Sequence, residues 1–371
     1  MSRGGALLRA AFGAACVLLA VGALASCAKR SLPGVVVEEI PNPAAPGSGE
    51  ASLASLPDGR AVLSWIERAG EESAVRMAVR DRSAWGEPRT IARGPDFFVN
   101  WADFPTVAAL GDGTLFAHWL EKNTPGKYSY VVKLARSRDL GRSWSEPLVP
   151  HADTSAVEHG FVSMADDGAG QMALVWLDGR DPGGTALLAT RAGAEGPVVT
   201  EERVDGRVCD CCQTALIRTS RGLLAAFRDR SEGEVRDIAI SRFEGGAWSP
   251  AQVVASDGWR IDGCPVNGPA LAVEQDRVAL AWFTAEPAPR VLVAFSRDGG
   301  RQWGAPQALH EGRPLGRVDV AFLPSPNGDA VVSFLEQEKP AAEQAGGEPA
   351  AGPARVVLRR VDAGGRVSAP V

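Results

Sequence analysis

The sequence predicts an all-β fold, a six-bladed β-propeller of four-stranded antiparallel blades, and three observations predict it. An apolar strand ending in an aromatic residue occurs six times, at Trp65, Trp119, Trp176, Phe227, Trp282 and Phe334. The successive spacings are 54, 57, 51, 55 and 52 residues, the period of a unit of several short strands joined by turns. A polar octet, Ser137–Trp144 (SRDLGRSW), returns as Ser296–Trp303 (SRDGGRQW). Its Ser and Asp are suited to bonding nearby backbone N–H groups, its Gly to a positive φ, and its Trp to re-entering the core. Weaker copies read Ser241–Trp248 and Val79–Trp85, whereas residues 190–196 of the third unit have neither Asp nor Trp.

Taken in order, Met1–Ser26 carries Arg3 and Arg9 and then an apolar run, Ala10–Leu24. The run is short of the roughly 20 residues a membrane span needs and reads as a secretory signal. Its end, Leu24-Ala25-Ser26-Cys27, resembles a bacterial lipobox. That resemblance implies cleavage before Cys27 and acylation of its sulfur. With Ala28 following, it also implies a membrane lipoprotein, in the outer membrane and facing the periplasm or the cell surface. Residues 27–50 read as the lipidated Cys and a tether, interrupted by Val35–Ile40, which is apolar enough for a strand. The propeller occupies 51–371. Its sixth blade stops short of a full outer strand, so 35–40 is expected to fill that place and close the ring. Pro340–Pro353 is low in complexity and is expected to be a disordered loop. A net charge of −6 with no Lys/Arg block excludes nucleic acid as a partner, and a monomer is expected.

The octets resemble the Asp-box, or bacterial neuraminidase repeat, of the sialidase-like propellers, over most of the chain after residue 50. The resemblance implies that the octets are folding elements on the face opposite the active site. It also implies a glycan or other polar, anionic small ligand, held by a divergent glycosidase or a carbohydrate binder at the channel mouth. That family uses a Tyr nucleophile, which lies late in the propeller. Here the tyrosines are Tyr128 and Tyr130, both in blade 2, so ordinary exo-sialidase turnover is not expected; an enzyme on this chain would be a differently equipped glycoside hydrolase.

The repeat itself locates the remaining candidates. Two residues after the aromatic markers stand Glu67, Glu121, Asp178, Asp229 and Glu336, and Glu121, Asp178 and Asp229 are the catalytic candidates. Arg180, Asp181, Arg228, Arg230, Arg236 and Asp237 crowd blades 3 and 4, and with Asn267 and Arg317 are candidates for binding an anionic or hydroxylated ligand. Cys209, Cys211 and Cys212, in Cys-Asp-Cys-Cys, and Cys264 lead into the inner strands of adjacent blades, Cys209 and Cys264 each 18 residues before its marker. In an oxidising compartment such a set favours disulfides, and no cofactor is then needed; the alternative is copper or zinc on soft sulfur ligands. A scaffold that binds a partner protein is the third reading.

Overall fold

The computed structural model describes residues 32–193, 200–310, 312–325, 328–338, 353–362 and 364–371. The leader with Cys27, and residues 339–352 of the low-complexity stretch, lie outside them. The described residues form β-strands and turns with no helix, so none is long and apolar enough to cross a membrane.

Blade 1 comprises β1 (Gly49–Ser55), β2 (Ala61–Ala69), β3 (Glu72–Arg80) and β4 (Arg89–Gly94), and blade 2 comprises β5 (Thr106–Ala109), β6 (Leu115–Lys122) and β7 (Tyr130–Ser137). Blade 3 is β8 (His159–Asp166), β9 (Gln171–Asp178), β10 (Thr185–Gly193) and β11 (Glu202–Val208). Blade 4 is β12 (Ala215–Thr219), β13 (Gly222–Arg228), β14 (Ile238–Glu244), β15 (Ala247–Trp248) and β16 (Gln252–Val253). Blade 5 is β17 (Ala270–Glu274), β18 (Arg277–Thr284), β19 (Arg290–Ser296) and β20 (Gln307–Ala308), and blade 6 is β21 (Arg313–Phe322), β22 (Ala330–Gln337) and β23 (Ala354–Val361).

Each blade is an antiparallel meander of three to five strands rather than a uniform four. In blade 2 the fourth strand shrinks to a single bridge between Leu134 and Leu148. In blade 6 the outer position is taken by the C-terminal residues: Leu358 and Val371 exchange both backbone bonds, and Ser368 N–H donates to the Arg360 carbonyl. Val35–Ile40 is therefore not the closing strand. It has no strand geometry; Val35 is half-buried, but Val36 and Val37 are 94% and 57% exposed.

The second strands of blades 2 to 5 are buried on both faces because those blades have a packed neighbour on either side, which is why they read as nearly continuous apolar runs. All six aromatic markers are 1% exposed. The core is divided into five apolar clusters, one at each joint from blades 1–2 to blades 5–6, built for example from Met77 with Trp119, Phe116 with Trp176, Leu187 with Phe227, Leu224 with Trp282, and Val293 with Phe334. At the joint between blades 6 and 1 the described residues form no such cluster.

The octets fold as their residues dictate. Gly141 N–H donates to Ser137 Oγ at 2.8 Å, Ser143 N–H donates to Asp139 Oδ1 at 2.9 Å, and Leu140 and Gly141 both take positive φ. The second octet repeats this with Gly300 on Ser296 Oγ at 2.9 Å and Gln302 on Asp298 Oδ1 at 2.9 Å. Both also reach back to the preceding blade, where Arg89 donates to the Leu140 carbonyl and Arg242 donates to the Gly300 carbonyl at 3.2 Å. They are turns and inter-blade fasteners at once.

Candidate functional site

The inner strands of all six blades surround an axial channel of about 550 Å³, lined by residues that include Ser52, Thr106, Ser163, Gln213, Asn267, Arg317 and Asp319. Asp319 is the one carboxylate in that lining, and burial raises it above the ordinary carboxylate range. The polar octets close the third strands, at the end away from the segments that lead into the inner strands. Those lead-in segments form the mouth.

None of the acids after the aromatic markers is among the residues lining the channel, and three of the five serve their own marker. Trp65 Nε1 donates to Glu67 at 2.9 Å, Trp119 Nε1 to Glu121 at 2.8 Å and Trp176 Nε1 to Asp178 at 2.8 Å. A buried indole N–H needs an acceptor, and the residue two along the same strand faces the same side and supplies it. In blade 5, where Thr284 follows the marker, Trp282 turns to Asp257 at 2.7 Å. Where the marker is Phe there is no N–H to satisfy. Asp229 is held by no other side chain among the described residues, and burial, opposed by a bond from the Arg230 backbone N–H, raises its pKa; Glu336 accepts from Gly312 N–H at 2.9 Å and from Arg355 at 3.1 Å.

The arginines of blades 3 and 4 are likewise committed. Arg180 chelates Asp178 through Nε and Nη2, both at 2.7 Å, and reaches Glu201 at 2.8 Å. Burial pushes against ionisation of Asp178, but the bonds from Arg180 and Trp176 win and its pKa is lowered. Arg203 holds Asp181 at 2.7 Å, and Asp237 accepts from the Gly258 and Trp259 backbone at 2.9 and 3.2 Å. Arg230 pairs with Glu234 at 3.0 Å, and Arg236 with the same carboxylate at 2.6 Å. Arg228 is 2% exposed and donates to the carbonyls of Asn267, Phe283 and Arg236, stitching blade 4 to blade 5. These residues are brought together, as the sequence implies, but for holding the scaffold.

What remains at the mouth is one register. Eighteen residues before the markers of blades 2 to 5 stand Trp101, Glu158, Cys209 and Cys264, and Arg317 of blade 6 is displaced by one. Trp101 is 63% exposed, with the Arg317 guanidinium 4.1 Å from its ring centre, a favourable cation–π pair. Neither Trp101 nor Glu158 was singled out in the sequence, although the register that aligns the two cysteines points to both. Burial, then repulsion from Asp210, raises Glu158 to about 7. Arg317 has a positive φ of 56° and is held by its backbone N–H on Asn267 Oδ1 at 2.8 Å and by a side-chain bond to the Val266 carbonyl. No carboxylate pairs with it among the described residues. Tyr130 is buried and stacked on Phe98 at 3.9 Å, and Tyr128 lies outside the channel lining.

The cysteines are free thiols, not disulfides. Three of them converge on one turn before β12: Cys209 Sγ is 3.8 Å from Cys211 Sγ and 3.6 Å from Cys212 Sγ. The turn puts three sulfurs on one point rather than two in bonding contact, which needs about 2.05 Å. Gly268 permits this arrangement, since a Cβ there would meet the Gln213 carbonyl at 1.9 Å; blade 5 can press its Asn267 against the cysteine turn only with glycine in that place. Cys211 also lies with Asp210 and the exposed Cys264 in a group whose ligand atoms are all within 4.8 Å of one another. His159 is elsewhere, buried on β8 with Nδ1 on the Tyr130 carbonyl at 3.0 Å and Nε2 on Asp153 at 3.1 Å.

The sequence matches no protein-family model and no curated protein. By structure the chain is similar to a protein of unknown function from Dyadobacter fermentans DSM 18053, at 15% identity over 84% of this chain and 94% of that one, with a TM-score of 0.55. It is similar as well to AofleA from Arthrobotrys oligospora, at 11% identity over 87% and 88% of the two chains and a TM-score of 0.54. An ulvan lyase bound to -[GlcA(1-4)Rha3S]- is similar at 11% identity over 84% of this chain and 78% of the other, with a TM-score of 0.50. At these identities the likeness is one of fold, and the chain is a six-bladed propeller of the architecture those proteins share.

Proposed function

We propose that the chain is a glycan-binding propeller whose channel mouth takes an acidic saccharide. The observation that carries this reading is the pairing of an exposed Trp101 with an Arg317 that has no carboxylate partner, at the rim of a polar channel. An aromatic face accepts the C–H side of a sugar ring, and a guanidinium takes a uronate carboxylate in two parallel bonds. Glu158 supplies a hydrogen-bonding carboxyl on the same rim. Recognition is the function assigned; hydrolysis would need two carboxylates facing each other across the bound sugar. The likeness to the ulvan lyase shows the fold; the reading rests on this chain's own residues.

Calorimetry with hexuronate oligosaccharides and their carboxyl-reduced counterparts tests it. Trp101→Ala and Arg317→Met should each weaken hexuronate binding by roughly 10-fold or more, the effect of losing a charge-assisted bond or an aromatic platform, with unchanged thermal stability. The reduced sugars should bind the parent protein and Arg317→Met alike. Absence of saccharide binding, or binding indifferent to both substitutions, sinks the reading.

The leader completes the proposal. With Cys27 acylated, the mouth would be displayed on a membrane surface by the tether. Cys27→Ala should move the protein from the membrane to the soluble fraction; retention in the membrane overturns the anchor.

A further inference from the structure

We propose that Cys209, Cys211 and Cys212 form a binding site for a thiophilic monovalent cation, Cu(I), at the joint of blades 4 and 5, with Cys264 as the exposed thiol through which the ion is exchanged. Geometry is the first support. Sulfurs bonded to one metal at about 2.3 Å stand about 3.8 Å apart in a tetrahedral set and about 4.0 Å apart in a trigonal one, and the measured separations from Cys209 are 3.6 and 3.8 Å. All three sulfurs lie within 4.8 Å of one another. They are positioned as co-ligands while still unbonded to each other.

The surroundings aim donors at the sulfurs. Arg236, itself 2% exposed, donates to Cys209 Sγ at 3.1 Å, and the Asn267 backbone N–H donates to Cys212 Sγ at 3.3 Å. Donors aimed at the sulfurs are the outer-shell feature that stabilises thiolate ligands.

The donor set selects the ion. Structural zinc takes four ligands in a tetrahedron, whereas three sulfurs converge here, two of them in the protein interior. Three soft sulfur donors suit Cu(I).

Access is asymmetric. Cys209 and Cys212 are 1% and 2% exposed, Cys211 is half-buried and Cys264 is exposed. Cys264 and Asp210 stand beside Cys211 alone of the three, so an incoming ion meets Cys264 and Cys211 first, and passes inward by exchange of one sulfur for another without change of oxidation state.

The test is anaerobic titration of the reduced full-length protein with Cu(I) against a chromophoric Cu(I) chelator, with Zn(II) titrated separately. One Cu(I) per chain, bound with a sulfur-to-copper charge-transfer band, is expected, and Zn(II) should not displace it. Cys209→Ser and Cys212→Ser should weaken binding by at least 100-fold. Cys264→Ser should keep the stoichiometry and slow transfer to the chelator. Arg236→Gln, which leaves every sulfur in place, should weaken binding by about 10-fold and guards against serine variants that fail to fold. No Cu(I) bound by the parent protein, preference for Zn(II), or affinity unchanged in Cys209→Ser overturns the proposal. Saccharide binding is read separately, so either reading can fail alone.

Discussion

Replacing Arg228 with Met should destabilise the protein by about 4 kcal/mol, measured as the shift in urea unfolding, and Lys should not rescue it. The carbonyls of Asn267, Phe283 and Arg236 all depend on this one guanidinium, and a buried carbonyl left without a donor costs about 1–3 kcal/mol. A lysine ammonium is a single point and cannot span three acceptors that a planar fork reaches together. The ring of Trp259 lies 4.8 Å from the guanidinium and loses that contact too. A loss under about 1 kcal/mol would mean that water replaces the guanidinium, and that the two blades are held otherwise than described.

The second large effect separates two carboxylates that look alike in the sequence. Asp178→Ala should destabilise by about 3 kcal/mol, because it leaves the Trp176 indole without an acceptor and Arg180 with only Glu201, in a place with no solvent exposure. Asp229→Ala should be neutral or mildly stabilising at pH 8. Its marker is Phe227, which has no N–H, and burial raises the Asp229 pKa. A raised acid is favoured protonated, so folding carries a penalty for its charge above the ordinary carboxylate pKa. That penalty fades as pH falls through the raised pKa, and the gain from Asp229→Ala should be gone below about pH 4. Saccharide binding should survive both substitutions. Loss of binding with full stability in either variant would return that carboxylate to the site.

The contrast shows what the sequence could and could not convey. Repeats made the propeller legible, because a blade buries both faces of its second strand and so writes an apolar run ending in one aromatic residue, six times over. The octets were legible for a similar reason: Ser, Asp and Gly there satisfy bonds within eight residues. Site chemistry depends instead on partners distant in the chain. Nothing in Trp-x-Glu or Trp-x-Asp says that the acid faces its own indole rather than the channel until the strand is pleated. Nothing near Arg228 announces that its acceptors lie 39 and 55 residues onward. The four cysteines were correctly gathered at one rim by register, but disulfide and open thiol differ by less than 2 Å of sulfur position, which spacing does not encode. The closing strand was misplaced because a short apolar stretch has no address; residues 366–371 (RVSAPV), mixed and unremarkable in composition, took the edge by being adjacent to it.

The distribution of apolar clusters has a mechanical consequence. Five joints are filled with interlocking side chains, and the sixth, where the first and last blades meet, has no such filling among the described residues. A closed ring so built behaves like a split washer: six blades joined at five packed seams form one stiff arc, and any change of bore is concentrated at the cut. Ser52 and Leu53 stand on one side of that cut and Arg317 to Asp319 on the other, all of them in the channel wall. A slight parting there widens the passage and shifts Arg317 relative to the rest of the wall, while the thiols across the ring keep their mutual distances. Residues 32–48, which precede blade 1, join the ring at this same place.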